Sequence, residues 1–179
     1  MTTYVALLRG INVSASTQMP MADLSQLMAE LGYTDIATYL RSGNVIFKAE
    51  SGTVEEHEKR IQEAIAKRFG FESRIMVKTK DQLLAAREKN PFKHEKIEAD
   101  RTLFVSFLFE PLSKEGQKIL AAMSNPEELI APFEWEVYTL LVRAHFPQSA
   151  MGKNLLAKRA KADSTSRNWN TLNKLIDRM

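Results

Sequence analysis

The sequence has no cysteine and little glycine, and each shortage excludes a class of chemistry. A chain of 179 residues without cysteine forms no disulfide and has no thiol nucleophile, which favours a reducing compartment and predicts a cytoplasmic location. Its seven glycines contain no P-loop and no dinucleotide fingerprint, so a glycine-rich phosphate cradle is not predicted. No apolar run approaches membrane-spanning length, and we predict no membrane partner.

Histidine is equally scarce, and its spacing predicts neither a metal site nor a cofactor. His57, His94 and His145 have no partner at i+4 and no carboxylate spacing typical of metal ligands. We interpret each as a surface or helix-face histidine, and residues 55–58 as a solvated acidic face. No activated nucleophile is visible, so whether the chain is an enzyme stays open. A reaction would depend on positioning and electrostatics.

Charge is distributed unevenly along the chain. The net charge is +3, but residues 143–179 contain eight basic and two acidic residues, which leaves the remainder net acidic. Segregated positive charge raises the local concentration of phosphates and nucleic acids. Trp169 is the sole aromatic side chain among the basic residues beyond 146, so a solvated basic helix is the alternative interpretation.

Hydrophobic periodicity predicts an α+β fold of two ferredoxin-like, split βαβ subdomains. In the first half the predicted order is β-α-β-β-α-β, with a Gly-Asn hairpin turn and a helix that a Thr53/Glu56 capping box opens and Gly70 ends. The second half repeats β-α-β-β-α, with Ser113 as a cap, and a structural duplication is the hypothesis. A C-terminal helix is expected to pack back on the body, capped by Ser164, Thr165 or Ser166. The predicted boundaries are 1–90 for the first subdomain, 91–101 for a joint and 102–179 for the second.

Three polar blocks supply the candidate site residues, at residues 9–12, 41–44 and 167–171. Each block falls where a predicted strand or helix begins or ends, and loops at such places pool side chains into sites. Guanidinium groups bind carboxylates and phosphates, and amides add directional hydrogen bonds. The candidate ligand-binding residues are Arg9, Asn12, Arg41, Ser42, Asn44, Arg167, Asn168 and Thr171.

Each block also has a structural explanation. Asn12 caps its own loop, and the hairpin turn accounts for Gly43 and Asn44 without a ligand. Arg167 and Asn168 are predicted in the first turn of the last helix, where a cation is unfavourable unless an anion compensates. Trp169 is explained equally well as an attachment of that helix to the body.

The same blocks resemble a bacterial family of uncharacterised proteins known only as a domain of unknown function. The resemblance rests on Y-V-A-L-L-R-G-I-N-V at residues 4–13, T-Y-L-R-S-G-N-V-I-F at 38–47 and T-S-R-N-W-N-T at 165–171. It implies two ferredoxin-like subdomains and signature positions at the candidate residues other than Arg41. Members often carry a glycine pair followed by basic residues after the first block, whereas this chain has Ser14-Ala15 and then Ser16-Thr17-Gln18.

Four hypotheses for function follow from these residues. The chain binds a small anionic ligand where the three blocks converge, or it binds nucleic acid through its basic C-terminal region. The third hypothesis is an enzyme that works by positioning and electrostatics. In the fourth, the blocks only hold the two halves together.

Overall fold

The chain folds into two antiparallel sheets with interleaved helices, and the α+β class predicted from periodicity is confirmed. The computed structural model describes residues 1–94 and 97–179. Contacts divide the chain into unit 1, Met1–Ala85 with Lys174–Met179, and unit 2, Ala86–Asn173. The predicted joint at 91–101 includes residues 95 and 96, which lie outside the described residues, and these boundaries stay a prediction.

Unit 1 has the strand order of a ferredoxin-like sandwich. Its sheet runs β2-β3-β1-β4, and all its strand pairs are antiparallel. The elements are β1 (Thr2–Leu8), α1 (Met21–Glu30), β2 (Thr34–Tyr39), β3 (Asn44–Ala49), α2 (Val54–Phe69), β4 (Ile75–Thr79) and α3 (Lys80–Glu88). A short 3₁₀ turn, Ala15–Thr17, lies between β1 and α1.

Local sequence signals place the ends of α2. Thr53 accepts a hydrogen bond from Glu56 N, and the Glu56 carboxylate accepts one from Thr53 N, as a capping box does. Gly70 ends the helix with a left-handed φ of 73°, which glycine adopts without penalty. Both predictions for this helix are confirmed.

The core of unit 1 contains a buried histidine, so the interpretation of residues 55–58 as a solvated face holds for Glu55 and Glu56, which are exposed, and is wrong for His57 and Glu58. His57 is 3% exposed and packs among Tyr4, Tyr33 and Phe47, with its Nδ1 3.0 Å from the Tyr33 hydroxyl. Burial lowers the pKa of the imidazole. Glu58 is half-buried and accepts a hydrogen bond from Val77 N on β4 at 2.8 Å. The helical period turns both residues inward although the run is acidic.

Unit 2 repeats the topology of unit 1. Its sheet runs β6-β7-β5-β8, the same permutation of first, second, third and fourth strands, and all its pairs are antiparallel. The elements are β5 (Arg101–Leu108), α4 (Lys114–Ala121), β6 (Glu128–Pro132), β7 (Glu136–Val142), α5 (Leu155–Ala160), β8 (Ser164–Asn168) and α6 (Trp169–Arg178). The hypothesis of a duplicated architecture agrees with this order.

One element of unit 2 was not predicted, and one cap was predicted wrongly. Ser164–Asn168 is the strand β8, so Ser164, Thr165 and Ser166 do not cap the last helix, which begins at Trp169.

In the described part of the chain no helix is long and apolar enough to span a bilayer. Within the same residues no group of three or more His, Asp or Glu side chains could hold a metal ion.

Candidate functional site

The first two polar blocks contact each other in unit 1. Asn12 has a positive φ of 56°, and its Nδ2 donates to Arg41 O at 2.8 Å and to Met19 O at 3.1 Å. Its Oδ1 accepts a hydrogen bond from Met19 N at 2.8 Å. The amide of Asn12 therefore closes its own loop and ties it to the hairpin turn.

The hairpin turn is built around Gly43 and Asn44. Gly43 has a φ of 78°, and a Cβ there would lie 2.7 Å from Leu8 Cβ and 2.8 Å from Ile11 Cδ1. Asn44 is fully buried, and its Nδ2 donates to Tyr39 O at 2.7 Å and to Ser42 Oγ at 3.2 Å. Packing and backbone conformation thus both require glycine, and the Asn44 side chain stabilises the turn.

The charged members of these two blocks lie closer to solvent. Arg9 is partly buried and lines a cavity of about 370 Å³ that also contains the carboxylate of Glu72 and the guanidinium of Arg74. Arg41 and Ser42 are exposed. Binding of a ligand by Arg9, Arg41 or Ser42 stays a prediction.

The third block lies in unit 2, and its arginine is not in a helix. Arg167 belongs to β8, is 6% exposed, and donates from Nη1 to Thr165 Oγ1 at 2.9 Å and to Ser166 O at 2.7 Å. Burial lowers the pKa of this guanidinium to about 10, so it stays charged at neutral pH. The prediction that Arg167 occupies the first helical turn is wrong.

Asn168 is the last residue of β8, directly before the last helix, and lines a cavity. Its Oδ1 accepts a hydrogen bond from Thr171 N at 2.8 Å, the bond that an N-cap residue makes. The cavity beside it has a volume of about 280 Å³, and we call it the arginine cavity. Its lining consists of Ile97, Arg101, Thr102, Leu103, Arg143, Asn168, Trp169 and Asn170.

Strand pairing brings the two arginines of this cavity together. Arg101 is the first residue of β5 and pairs with Val142, the last residue of β7. Arg143 follows directly, and its backbone N–H donates to Asp100 O at 2.7 Å. Two residues far apart in sequence therefore lie at the same end of one sheet. The sequence analysis did not single out either of them for the site.

Both guanidinium groups keep N–H donors that no other described residue accepts. Arg101 Nη2 donates to Pro126 O at 2.8 Å. Arg143 donates from Nε to Thr102 Oγ1 at 3.2 Å and from Nη2 to Ala99 O at 3.4 Å. Each guanidinium has five N–H donors, and neither forms an ion pair with a described carboxylate. Among the residues that the structure describes, no aspartate or glutamate lines the cavity.

A buried carboxylate fixes the segment that carries Arg143. Glu128 is 3% exposed, and its side chain accepts hydrogen bonds from Ala150 N at 2.6 Å and Met151 N at 3.2 Å. The 3₁₀ segment Arg143–Gln148 thus starts at the end of β7 and stops just before this attachment. One wall of the arginine cavity is therefore held at both ends.

Comparisons with known proteins place the chain in a family and support its fold. A family model described as "Protein of unknown function (DUF1697)" matches residues 1–138. The conserved bacterial protein SP0830 from Streptococcus pneumoniae has a similar structure, with a TM-score of 0.76, and 22% of its residues are identical. That match covers 99% of this chain and 98% of the other. No curated protein matches the sequence.

Proposed function

The chain belongs to the DUF1697 family of proteins of unknown function, and we propose from its site that it binds a small anionic ligand, a phosphate or a carboxylate. One observation carries the proposal. Arg101 and Arg143 line a single cavity, and none of the described residues that line it carries a carboxylate. Two neighbouring cations without a counter-charge repel each other, and an anion bound between them removes that repulsion.

Two further features of the cavity favour an anion with several oxygen atoms. The guanidinium groups are planar forks that match carboxylate and phosphate geometry. The amides of Asn168 and Asn170 stand in the same lining, and the first turn of α6 contains no acidic residue. Of the residues first predicted for a ligand, Asn168 lines this cavity, and the participation of the others is a separate prediction.

The direct test is calorimetric titration with inorganic phosphate, pyrophosphate and citrate. We expect at least one of these anions to bind, and Arg143→Ala to weaken its binding about tenfold or more, because a charge-assisted hydrogen bond is lost. Arg159→Ala is the matched control, since Arg159 is an exposed arginine of the same unit outside the cavity. The proposal fails if no anion binds, or if the two variants lose affinity equally.

Nucleic-acid binding is a second candidate because four exposed basic residues lie close together in unit 2 without an ion pair to a described residue. They are Lys153, Lys158, Arg159 and Lys161. A binder of this kind loses affinity steeply with salt as counterions are released. Here Arg159→Ala should weaken binding of a mixed-sequence oligonucleotide, and a flat salt response removes this candidate.

A further inference from the structure

An exposed aromatic side chain stands beside the arginine cavity. Phe146 belongs to the 3₁₀ segment Arg143–Gln148, three residues after Arg143. Side chains three apart in a 3₁₀ helix eclipse each other, so Phe146 and Arg143 project from the same side of the segment. Phe146 is 39% exposed, unlike most large hydrophobic residues of this protein.

A second ring connects Phe146 to the sheet that forms the cavity. The rings of Phe146 and Phe104 have centroids 6.0 Å apart and are tilted by 40°. Phe104 lies directly opposite Asn168 in the pairing of β5 with β8, and directly opposed side chains share a face of the sheet. The aromatic pair and the cavity amide thus lie next to each other on one surface of unit 2.

Asn168 also has hydrogen-bonding capacity to spare. Its Oδ1 is occupied by Thr171 N, while its Nδ2 has no partner among the described residues. This amide shares a cavity lining with two guanidinium groups and pairs across the sheet with Phe104, an arrangement that suits a ligand with three different parts. These are an anionic group, a polar linker and a flat ring.

We propose that the ligand of the arginine cavity is a nucleoside phosphate, an inference that rests on the proposed anion binding. The phosphate lies between Arg101 and Arg143, the base stacks on the exposed ring of Phe146, and Asn168 Nδ2 donates to the ribose or the base. A cavity of about 280 Å³ holds the phosphate and sugar, with the base at its rim. Every base has a π-face, so stacking tolerates different bases.

The test compares ligands that share a phosphate and differ in the base. AMP, UMP, ribose 5-phosphate and inorganic phosphate are titrated into the protein by calorimetry. We expect AMP and UMP to bind about tenfold or more tightly than ribose 5-phosphate, because one base stacked on an aromatic ring contributes that much. A nucleoside phosphate can be a free nucleotide or the 5′ end of a nucleic-acid strand, and a trinucleotide with a 5′-phosphate distinguishes the two. If the trinucleotide binds more tightly than AMP, the ligand is a strand end. If it binds equally or more weakly, the ligand is a free nucleotide.

Phe146→Leu tests the position of the base without changing the charge of the cavity. It should reduce the affinity for AMP to that for ribose 5-phosphate and leave the affinity for inorganic phosphate unchanged. Trp135→Leu removes another exposed aromatic ring of unit 2, in the turn between β6 and β7, and should change neither affinity.

The outcomes distinguish nucleoside recognition from the anion binding on which it depends. Equal affinity for AMP and ribose 5-phosphate overturns nucleoside recognition but leaves anion binding intact. An unchanged AMP affinity in Phe146→Leu overturns the assignment of the base to this ring. Failure of all four ligands and of the other anions to bind overturns both proposals.

Discussion

The fourth strand of each sheet runs directly into a helix, and the two junctions are flanked differently. In unit 1 the junction is closed by its own residues. Thr79 N donates to Gln82 Oε1 at 3.0 Å, and Gln82 N donates to Thr79 Oγ1 at 3.3 Å. Asp81, the second residue of α3, adds a carboxylate at the positive end of the helix dipole.

Among the described residues, the junction from β8 to α6 in unit 2 has no reciprocal pair of hydrogen bonds, and the first turn of α6 contains no acid. Asn168 accepts one hydrogen bond from Thr171 N, and the second helical residue is Asn170 instead of an aspartate. Arg101 and Arg143 line the cavity beside this junction. The same topology therefore yields a self-satisfied helix start in one unit and a positively charged hollow in the other.

Substitutions in the hairpin turns are expected to give the largest difference between the units in the free energy of unfolding. Gly43→Ala should lower the free energy of unfolding by about 3 kcal/mol, because it adds a clash with Leu8 and Ile11 to an unfavourable positive φ. Trp135→Ala, in the turn of unit 2, should change it by less than about 0.5 kcal/mol, since Trp135 is 47% exposed. Urea unfolding measures both, and a tolerated Gly43→Ala would contradict the turn geometry.

Replacing a buried side chain of the fourth strand by alanine should lower the free energy of unfolding by a similar amount in both units, although one side chain is charged and the other apolar. Arg167→Ala in β8 is expected to cost about 3 kcal/mol, because it removes a buried guanidinium that donates hydrogen bonds to Thr165 Oγ1 and Ser166 O. Val77→Ala in β4 removes buried methyl groups and should cost about 2 kcal/mol. Equilibrium unfolding of the two variants gives the comparison, and a neutral Arg167→Ala would show that those hydrogen bonds add nothing.

Acid should loosen unit 1 before unit 2. The pKa of His57 is lowered in the folded state, so its contribution is complete above the unfolded pKa of about 6.5 and is lost as pH falls below it. The loss is at most about 1.4 kcal/mol per pH unit. The described histidines of unit 2, His94 and His145, are exposed.

Hydrogen exchange measured between pH 7.5 and 5 resolves the two units. Amides of β1 and β3, which pack around His57, should lose protection more than those of β5 and β7. The variant His57→Phe should flatten this pH dependence, and an unchanged slope would assign the acid sensitivity to other groups.

Exchanging the second residue of each helix gives the smallest expected effect on stability. Asn170→Asp gives α6 the carboxylate that α3 has, and should raise the free energy of unfolding by about 0.5 kcal/mol. Because the new carboxylate competes for the guanidinium groups, phosphate affinity should fall. Asp81→Asn should lower stability by a similar amount and leave phosphate affinity unaltered, and thermal melting with titration checks both variants.

Sequence patterns predicted the elements whose signals are local. The capping box of Thr53 and Glu56, the end of α2 at Gly70 and the Ser113 cap of α4 are all confirmed, because each depends on residues within one helical turn. The strand β8 was missed because its five residues, Ser164–Asn168, contain no apolar side chain. Its pairing with β5 makes it a strand, and tertiary context overrides propensity there.

The arginine cavity escaped prediction for a related reason. Arg101 is the first residue of one strand and Arg143 directly follows another, and neither belongs to a motif. They meet because β5 and β7 are antiparallel neighbours, so the start of one lies beside the end of the other. A ferredoxin-like order, which was already expected from the sequence, places the first and third strands of a sheet side by side. In unit 2 these strands are β5 and β7, so the expected order would have indicated that Arg101 and Arg143 lie close together.

The attachment of Glu128 to the backbone of Ala150 and Met151 has a consequence for how this protein can diversify. Residues 143–148 are clamped by a strand on one side and by a carboxylate on the other, and neither clamp lies in the cavity. The side chains of these six residues can therefore be substituted without loss of either attachment. Substitutions at these positions should therefore change the side chains beside the arginine cavity while the backbone keeps its place.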